Sequence, residues 1–154
     1  MGLTFFFYGT LLDRPGNPVA AALHQRLGPG RAGSLPGALY AIPDAAGWYP
    51  ALVPDGPGRV RGQIHAAGPA FSAADLALMD RYEGFDPANL AESDYVRRLV
   101  PVTCDGPGES DRADAPAFVY CYNRPLPTAA MAIPSGDFLA WLRETGVRAY
   151  GSPA

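Results

Sequence analysis

The chain has 154 residues, 48% hydrophobic and 18% charged, enough to bury a core without disulfide or metal staples. Its net charge is −3, and its 12 basic residues, all Arg, are scattered rather than gathered into a stripe. That distribution argues against nucleic acid or an anionic membrane surface as a partner.

Gly (18) and Pro (17) are abundant and predict many turns between short elements. The apolar run from Leu3 to Tyr8 is too short for a membrane span, and no basic residues precede it as in a signal peptide. Cys104 and Cys121 lack CxxC spacing and are expected to be reduced thiols in the core, with a cytoplasmic location as the default. No repeat or linker is evident, so residues 1–154 read as one domain.

Phe5-Phe6-Phe7 reads as a strand buried on both faces, running into a turn at Tyr8-Gly9-Thr10. Glycine there admits unusual backbone angles and close approach of a ligand, and a turn of exposed N–H groups can hold an anion. Asn17 and Pro18 can cap and start a helix over Val19–Leu27, ended by Gly28-Pro29-Gly30, with His24 on its surface. A strand is expected from Arg31, broken at Pro36-Gly37 and resumed to Ile42; Trp48–Val53 is the next extended piece. Pro54-Asp55-Gly56-Pro57-Gly58 is a strong turn signal between two strands. Arg59–Ala66 then alternates, with Val60 and Ile64 on one face and Arg61, Gln63 and His65 on a polar one. His65 is therefore expected to face solvent or pack beside the strand, and neither histidine has the spacing of a zinc ligand.

The clearest helix is Ala73–Tyr82, with Ser72 and Asp75 spaced as a capping box and Leu76, Met79 and Tyr82 facing the core. Glu83 lies seven residues after Leu76, about two turns on, and Gly84 is placed for a left-handed cap. If the helix persists, Glu83 projects from the buried side, where desolvation and the helix C-terminus favour its protonated form. If it frays at Tyr82, Glu83 sits in water. Asp80, Glu83 and Asp86 read as helix-end acids rather than a metal site.

Tyr95–Thr103 is a strand with Tyr95, Arg97 and Leu99 on one face. Asp105–Ala115 is a loop, and Phe118–Tyr122 is a strand with aromatics at alternate positions. Asn123–Pro134 reads as irregular, and Ser135 as the cap of a last helix over Asp137–Thr145. The fold class is α+β, with six or seven strands around two or three helices. No nucleophile elbow, P-loop, GxGxxG or HExxH is present.

Tyr8-Gly9-Thr10-Leu11, Gly37-Ala38-Leu39-Tyr40, Val60-Arg61-Gly62-Gln63, Asp80-Arg81-Tyr82-Glu83-Gly84, Tyr95-Val96-Arg97 and Val119-Tyr120-Cys121-Tyr122 follow one another along the chain. In this order they resemble the γ-glutamylcyclotransferase-like superfamily, notably its small bacterial members and the γ-glutamylamine cyclotransferases. The resemblance implies a small closed or nearly closed mixed β-barrel flanked by helices. It also implies a small γ-glutamyl substrate whose α-amino group attacks its own γ-carbonyl, releasing 5-oxoproline and an amine. By this analogy Glu83 is general base and acid, and the turn of Tyr8, Gly9, Thr10 and Leu11 binds the glutamyl end. Tyr120 or Tyr122 lines the pocket. Intramolecular attack needs orientation and one base, so no cofactor or metal is expected. A non-catalytic ligand-binding member, or an amide hydrolase in which Glu83 activates water, remain alternatives. Many relatives carry a basic residue directly after the YGTL turn, whereas this chain has Leu12-Asp13-Arg14, leaving Arg14 as the candidate replacement.

Overall fold

The computed structural model describes residues 2–9, 11, 18–105 and 115–150, apart from the Asp55 side chain. In chain order these are β1 (Thr4–Phe7), α1 (Pro18–His24), β2 (Arg31–Asp44), β3 (Gly47–Ala66), α2 (Ala73–Tyr82), a 3-10 turn (Leu90–Glu92), β4 (Tyr95–Cys104), β5 (Ala115–Tyr122), β6 (Met131–Ala132) and α3 (Phe138–Thr145). The strands run in the order β3-β1-β5-β4-β2, and a direct β2–β3 pairing closes them into a five-stranded barrel. The barrel is mixed: β1 runs parallel to β5, while its pairing with β3 is antiparallel. β6 adds to β2 at Tyr40 and Ala41, so part of the stretch read as irregular is a strand.

β1 has a core on each side. Phe6 joins Leu35, Leu39, Leu52, Val60, Ile64 and Val119, together with Phe138 and Trp141 of α3. Phe5 and Phe7 join Leu23 of α1, Met79 of α2, Tyr95 and Tyr120. All three phenylalanines are buried, as a continuous apolar run requires. Cys104 and Cys121 are both buried and form no disulfide.

Two long strands replace four expected short ones. β2 continues through Pro36-Gly37 with only a register shift, and β3 continues through Pro54–Gly58. Pro36 faces Arg59 while Gly37 faces Pro54, so residues 55–58 are skipped by the β2 ladder. The turn-forming residues thus make an irregularity within β3, because pairing on either side holds the chain extended. The polar face of β3 is covered only at its end: His65 is buried because the segment after α1 lies over it, with Gly28 N–H bonded to Ala66 O at 2.7 Å, while Arg59 and Arg61 stay exposed. α1 is shorter than expected, ending at His24, and Asp137 rather than Ser135 caps α3 by accepting from Ala140 N. Asn17 and most of the Asp105–Ala115 loop lie outside the described residues.

Gly62 shows how tightly β1 and β3 close. A Cβ there would lie 2.1 Å from Phe7 O, a backbone atom in the adjacent strand. Gly62→Ala is expected to cost about 2–3 kcal/mol as a backbone shift, read as a lower urea midpoint at unchanged slope.

Candidate active site

α2 begins and ends as its sequence dictates. Ser72 accepts from Asp75 N, and the Asp75 carboxylate accepts from Ser72 N, a complete capping box. At the other end Glu83 keeps helical angles and bonds Met79 O, and Gly84 turns left-handed at φ 68°. Gly84 N–H bonds Arg81 O and Phe85 N–H bonds Asp80 O at 2.8 Å, the paired closure of a Schellman motif. The helix therefore does not fray before Glu83.

This closure sets Glu83 against the end of β1. Glu83, Tyr8, Gly9, Leu11, Pro50, Tyr95 and Tyr120 surround a cavity of about 20 Å³, room for one water-sized group. Glu83 and Tyr95 also line an adjoining cleft of about 290 Å³ with Tyr49, Arg81, Tyr122 and Tyr150, near the low end for a small-ligand site. The residue as a whole is half-buried, but burial of its carboxyl among these rings pushes the pKa from 4.5 up to about 8. Burial raises Tyr8, Tyr95 and Tyr120 well above the ordinary phenol value, and the nearby Glu83 charge adds to each. Those phenols stay neutral, leaving Glu83 as the group lining the cavity that titrates near neutrality.

The tyrosines divide by what they touch. Tyr8 donates to Tyr120 O at 2.6 Å, so its hydroxyl ties β1 to β5. Tyr95 donates to Pro50 O at 2.5 Å. Tyr120 donates to Asp80 Oδ1 at 2.6 Å and lines the small cavity. Tyr122 lines only the larger cleft, where the Tyr49 hydroxyl bonds to it. Both candidate tyrosines thus border Glu83's surroundings, in different compartments. Gly9 keeps no left-handed backbone; a Cβ there would strike Pro50 Cγ at 2.0 Å, so glycine is needed for close packing of the turn on β3. Leu11 is buried and its carbonyl accepts from His24 Nε2 at 2.7 Å. Thr10, Leu12, Asp13 and Arg14 lie outside the described residues.

His24 is half-buried, with its ring engaged on both sides. Its ring lies edge-on to His65 at 4.6 Å and packs on Phe7, while His65 Nδ1 bonds Gly28 O. Among the described residues no group of His, Cys, Asp and Glu is arranged to hold a metal ion.

Sequence reasoning missed Asp80. It is buried, meets Arg97 through two bonds of 2.9 and 3.1 Å, and accepts the Tyr120 hydroxyl. The Arg97 guanidinium lies between the rings of Phe85 and Phe118 at 5.4 and 5.2 Å. The signal was present: Asp80 follows Leu76 by four residues and so shares its helix face.

The sequence matches the family model described as gamma-glutamyl cyclotransferase, AIG2-like, over residues 5–140. The chain belongs to this family. No curated protein sequence matches it. Among solved structures it is similar to YkqA from Bacillus subtilis, at 20% identity and TM-score 0.62 over 95% of this chain. The match spans 43% of YkqA, less than half of that protein. An AIG2-like protein from Mus musculus superposes with TM-score 0.56 at 22% identity, over 82% of this chain and 80% of its own. A structure described as gamma-glutamyl cyclotransferase gives TM-score 0.57 at 14% identity, over 87% and 73%. At these identities the structures share the barrel fold with this family member. No helix among the described residues is long and apolar enough to cross a membrane.

The raised Glu83 pKa has a consequence for stability that does not depend on activity. The folded state holds a proton up to about pH 8 that an unfolded carboxyl releases near 4.5. Its contribution is therefore fully present below 4.5 and is lost as pH rises through 8. Compared with Glu83→Gln, the wild-type protein should lose melting temperature steadily between pH 5 and 9. A gap between the two that stays constant across this range would place the carboxyl in water.

Proposed function

We propose that this family member is a γ-glutamyl cyclotransferase that converts a γ-glutamyl amine or γ-glutamyl amino acid to 5-oxoproline and the free amine. The observation that carries the reading is the desolvated Glu83 carboxyl at the junction of a water-sized cavity and an open cleft. The cavity suits the reacting nitrogen, and the cleft suits the departing amine. The end of β1, with Gly9 and Leu11 at the cavity wall, suits the glutamyl end.

The chemistry needs no enzyme nucleophile. Glu83, as carboxylate, takes one proton from the substrate's α-ammonium. The freed amine attacks the γ-carbonyl and closes a five-membered ring, so a C–N bond forms and the carbonyl oxygen becomes an oxyanion. Collapse re-forms the carbonyl and breaks the bond to the leaving nitrogen, which Glu83 protonates. A second proton from the ring nitrogen completes the ammonium product. Of three ammonium protons, one stays on the lactam and two leave with the amine. Enclosure supplies orientation, because a γ-glutamyl chain is flexible and ring closure requires one rotamer set.

Ionisation of Glu83 near pH 8 fixes the expected profile. kcat/KM should rise with pH along a lower limb at about 8 and fall again as the substrate's own α-ammonium titrates. Incubation with a panel of γ-glutamyl amines and amino acids, following 5-oxoproline, tests the reading. Glu83→Gln should lower turnover by about 10²- to 10⁴-fold with the fold intact. Free glutamate in place of 5-oxoproline would indicate hydrolysis, and full turnover by Glu83→Gln would exclude this mechanism.

A further inference from the structure

The polar network behind the small cavity is more elaborate than one base requires. Asp80 sits buried one turn before Glu83 and offers only acceptor oxygens to its neighbours. Arg97 takes both of them, through Nε at 2.9 Å and a terminal nitrogen at 3.1 Å. Tyr120 must therefore be the donor in its 2.6 Å contact with Asp80 Oδ1. Its single hydroxyl hydrogen is committed away from the cavity it lines, and what its oxygen retains for that cavity is lone-pair density.

The donor direction is held from several sides. Arg97 is packed between Phe85 and Phe118, and Phe85 N–H bonds Asp80 O as part of the helix closure that also places Glu83. The Tyr120 carbonyl accepts from Tyr8, which fixes the backbone from which the ring projects. Rotating the hydroxyl toward the cavity would cost buried Asp80 Oδ1 one of its two donors and leave it with Arg97 alone.

Resting on the cyclotransferase reading, we propose that Tyr120 is a hydrogen-bond acceptor for the attacking α-amino group, and that Asp80 and Arg97 are positioning residues that hold it in that polarity. The amine keeps N–H bonds after surrendering one proton to Glu83. An acceptor at Tyr120 takes one of these and turns the nitrogen lone pair toward the γ-carbonyl. A donor at the same place would compete for that lone pair and suppress attack. The contact favours the reacting rotamer, so its loss falls on kcat more than on KM.

Tyr120→Phe keeps the ring and removes the oxygen. With a γ-glutamyl substrate that the wild type turns over, kcat should fall about 10- to 100-fold, because the attacking nitrogen gains positive charge as the C–N bond forms and the contact becomes one to a charged group, with KM little changed. The lower limb of the pH profile should stay near 8. A general loosening of the site would instead admit water to Glu83 and move that limb toward the ordinary carboxylate range. Asp80→Leu combined with Arg97→Met replaces both charged partners together and frees the Tyr120 hydroxyl to point into the cavity. This pair should reproduce the loss in kcat, and adding Tyr120→Phe should cost nothing further. Wild-type kcat in Tyr120→Phe overturns the proposal, as do independent, multiplying losses in the combined variant. If the double variant does not fold, Tyr120→Phe alone decides. Absence of 5-oxoproline from the wild type would sink the cyclotransferase reading and this inference with it; normal wild-type turnover with an indifferent Tyr120→Phe sinks only the inference.

Discussion

The constraint on which the rest depends is that β1 must be buried on both faces. Three consecutive phenylalanines leave no side for water, so the strand needs a core above and another below. Phe6 points into the barrel, where β2, β3, β4 and β5 enclose it, and Phe5 and Phe7 point out under α1 and α2. Barrel closure and helix cover are two answers to one demand. Their meeting place is the C-terminal end of β1, where Tyr8 crosses to the Tyr120 carbonyl and Gly9 accepts the Pro50 ring at close range. A low-dielectric pocket at that junction follows from the packing.

Glu83 reaches the junction because of how α2 ends. A helix stopped one residue earlier would leave the carboxylate in solvent, and one continued past Gly84 would carry the chain away from β4. The Schellman closure at Gly84 fixes the last turn, and the Asp80–Arg97 pair fastens that turn to the barrel wall. Asp80 thus serves twice, with its carbonyl closing the helix and its carboxylate gripping β4. Such a pair contributes little net stability once the desolvation of both ions is counted, but removing either partner alone is costly. Its retention at this place is better explained by the geometry it imposes than by the energy it adds.

Local chemistry carried much of the fold. The strand at Phe5–Phe7, the capping box at Ser72–Asp75, the stop at Gly84 and the alternating aromatics of β5 each have a short-range cause, and each is found as expected. Tertiary pairing decided the rest. Pro54–Gly58 has every mark of a turn, yet β2 holds the chain extended on both sides of it. His65 has a polar neighbour pattern, yet the segment following α1 covers it. The same limit applies to the site. Glu83 could be placed on a helix face by counting, but its burial depends on β1 and β5, far away in sequence. Asp80 looked like a helix-end acid because its partner Arg97 lies 17 residues further on, in strand β4.

Among the described residues, the electrostatics of the small cavity centre on the Glu83 carboxyl. Around the small cavity the phenols are held neutral by burial, the Asp80 charge is paired with Arg97, and one carboxyl can change state near working pH. The Arg97 cation is spent on a buried carboxylate, and the benefit passes to Tyr120 as a fixed hydrogen-bond direction. Among the described residues the Asp80 charge near the cavity is paired, so a proton moving on or off Glu83 changes the local charge. The low dielectric that raises its pKa also magnifies what that proton does to a neighbouring amine.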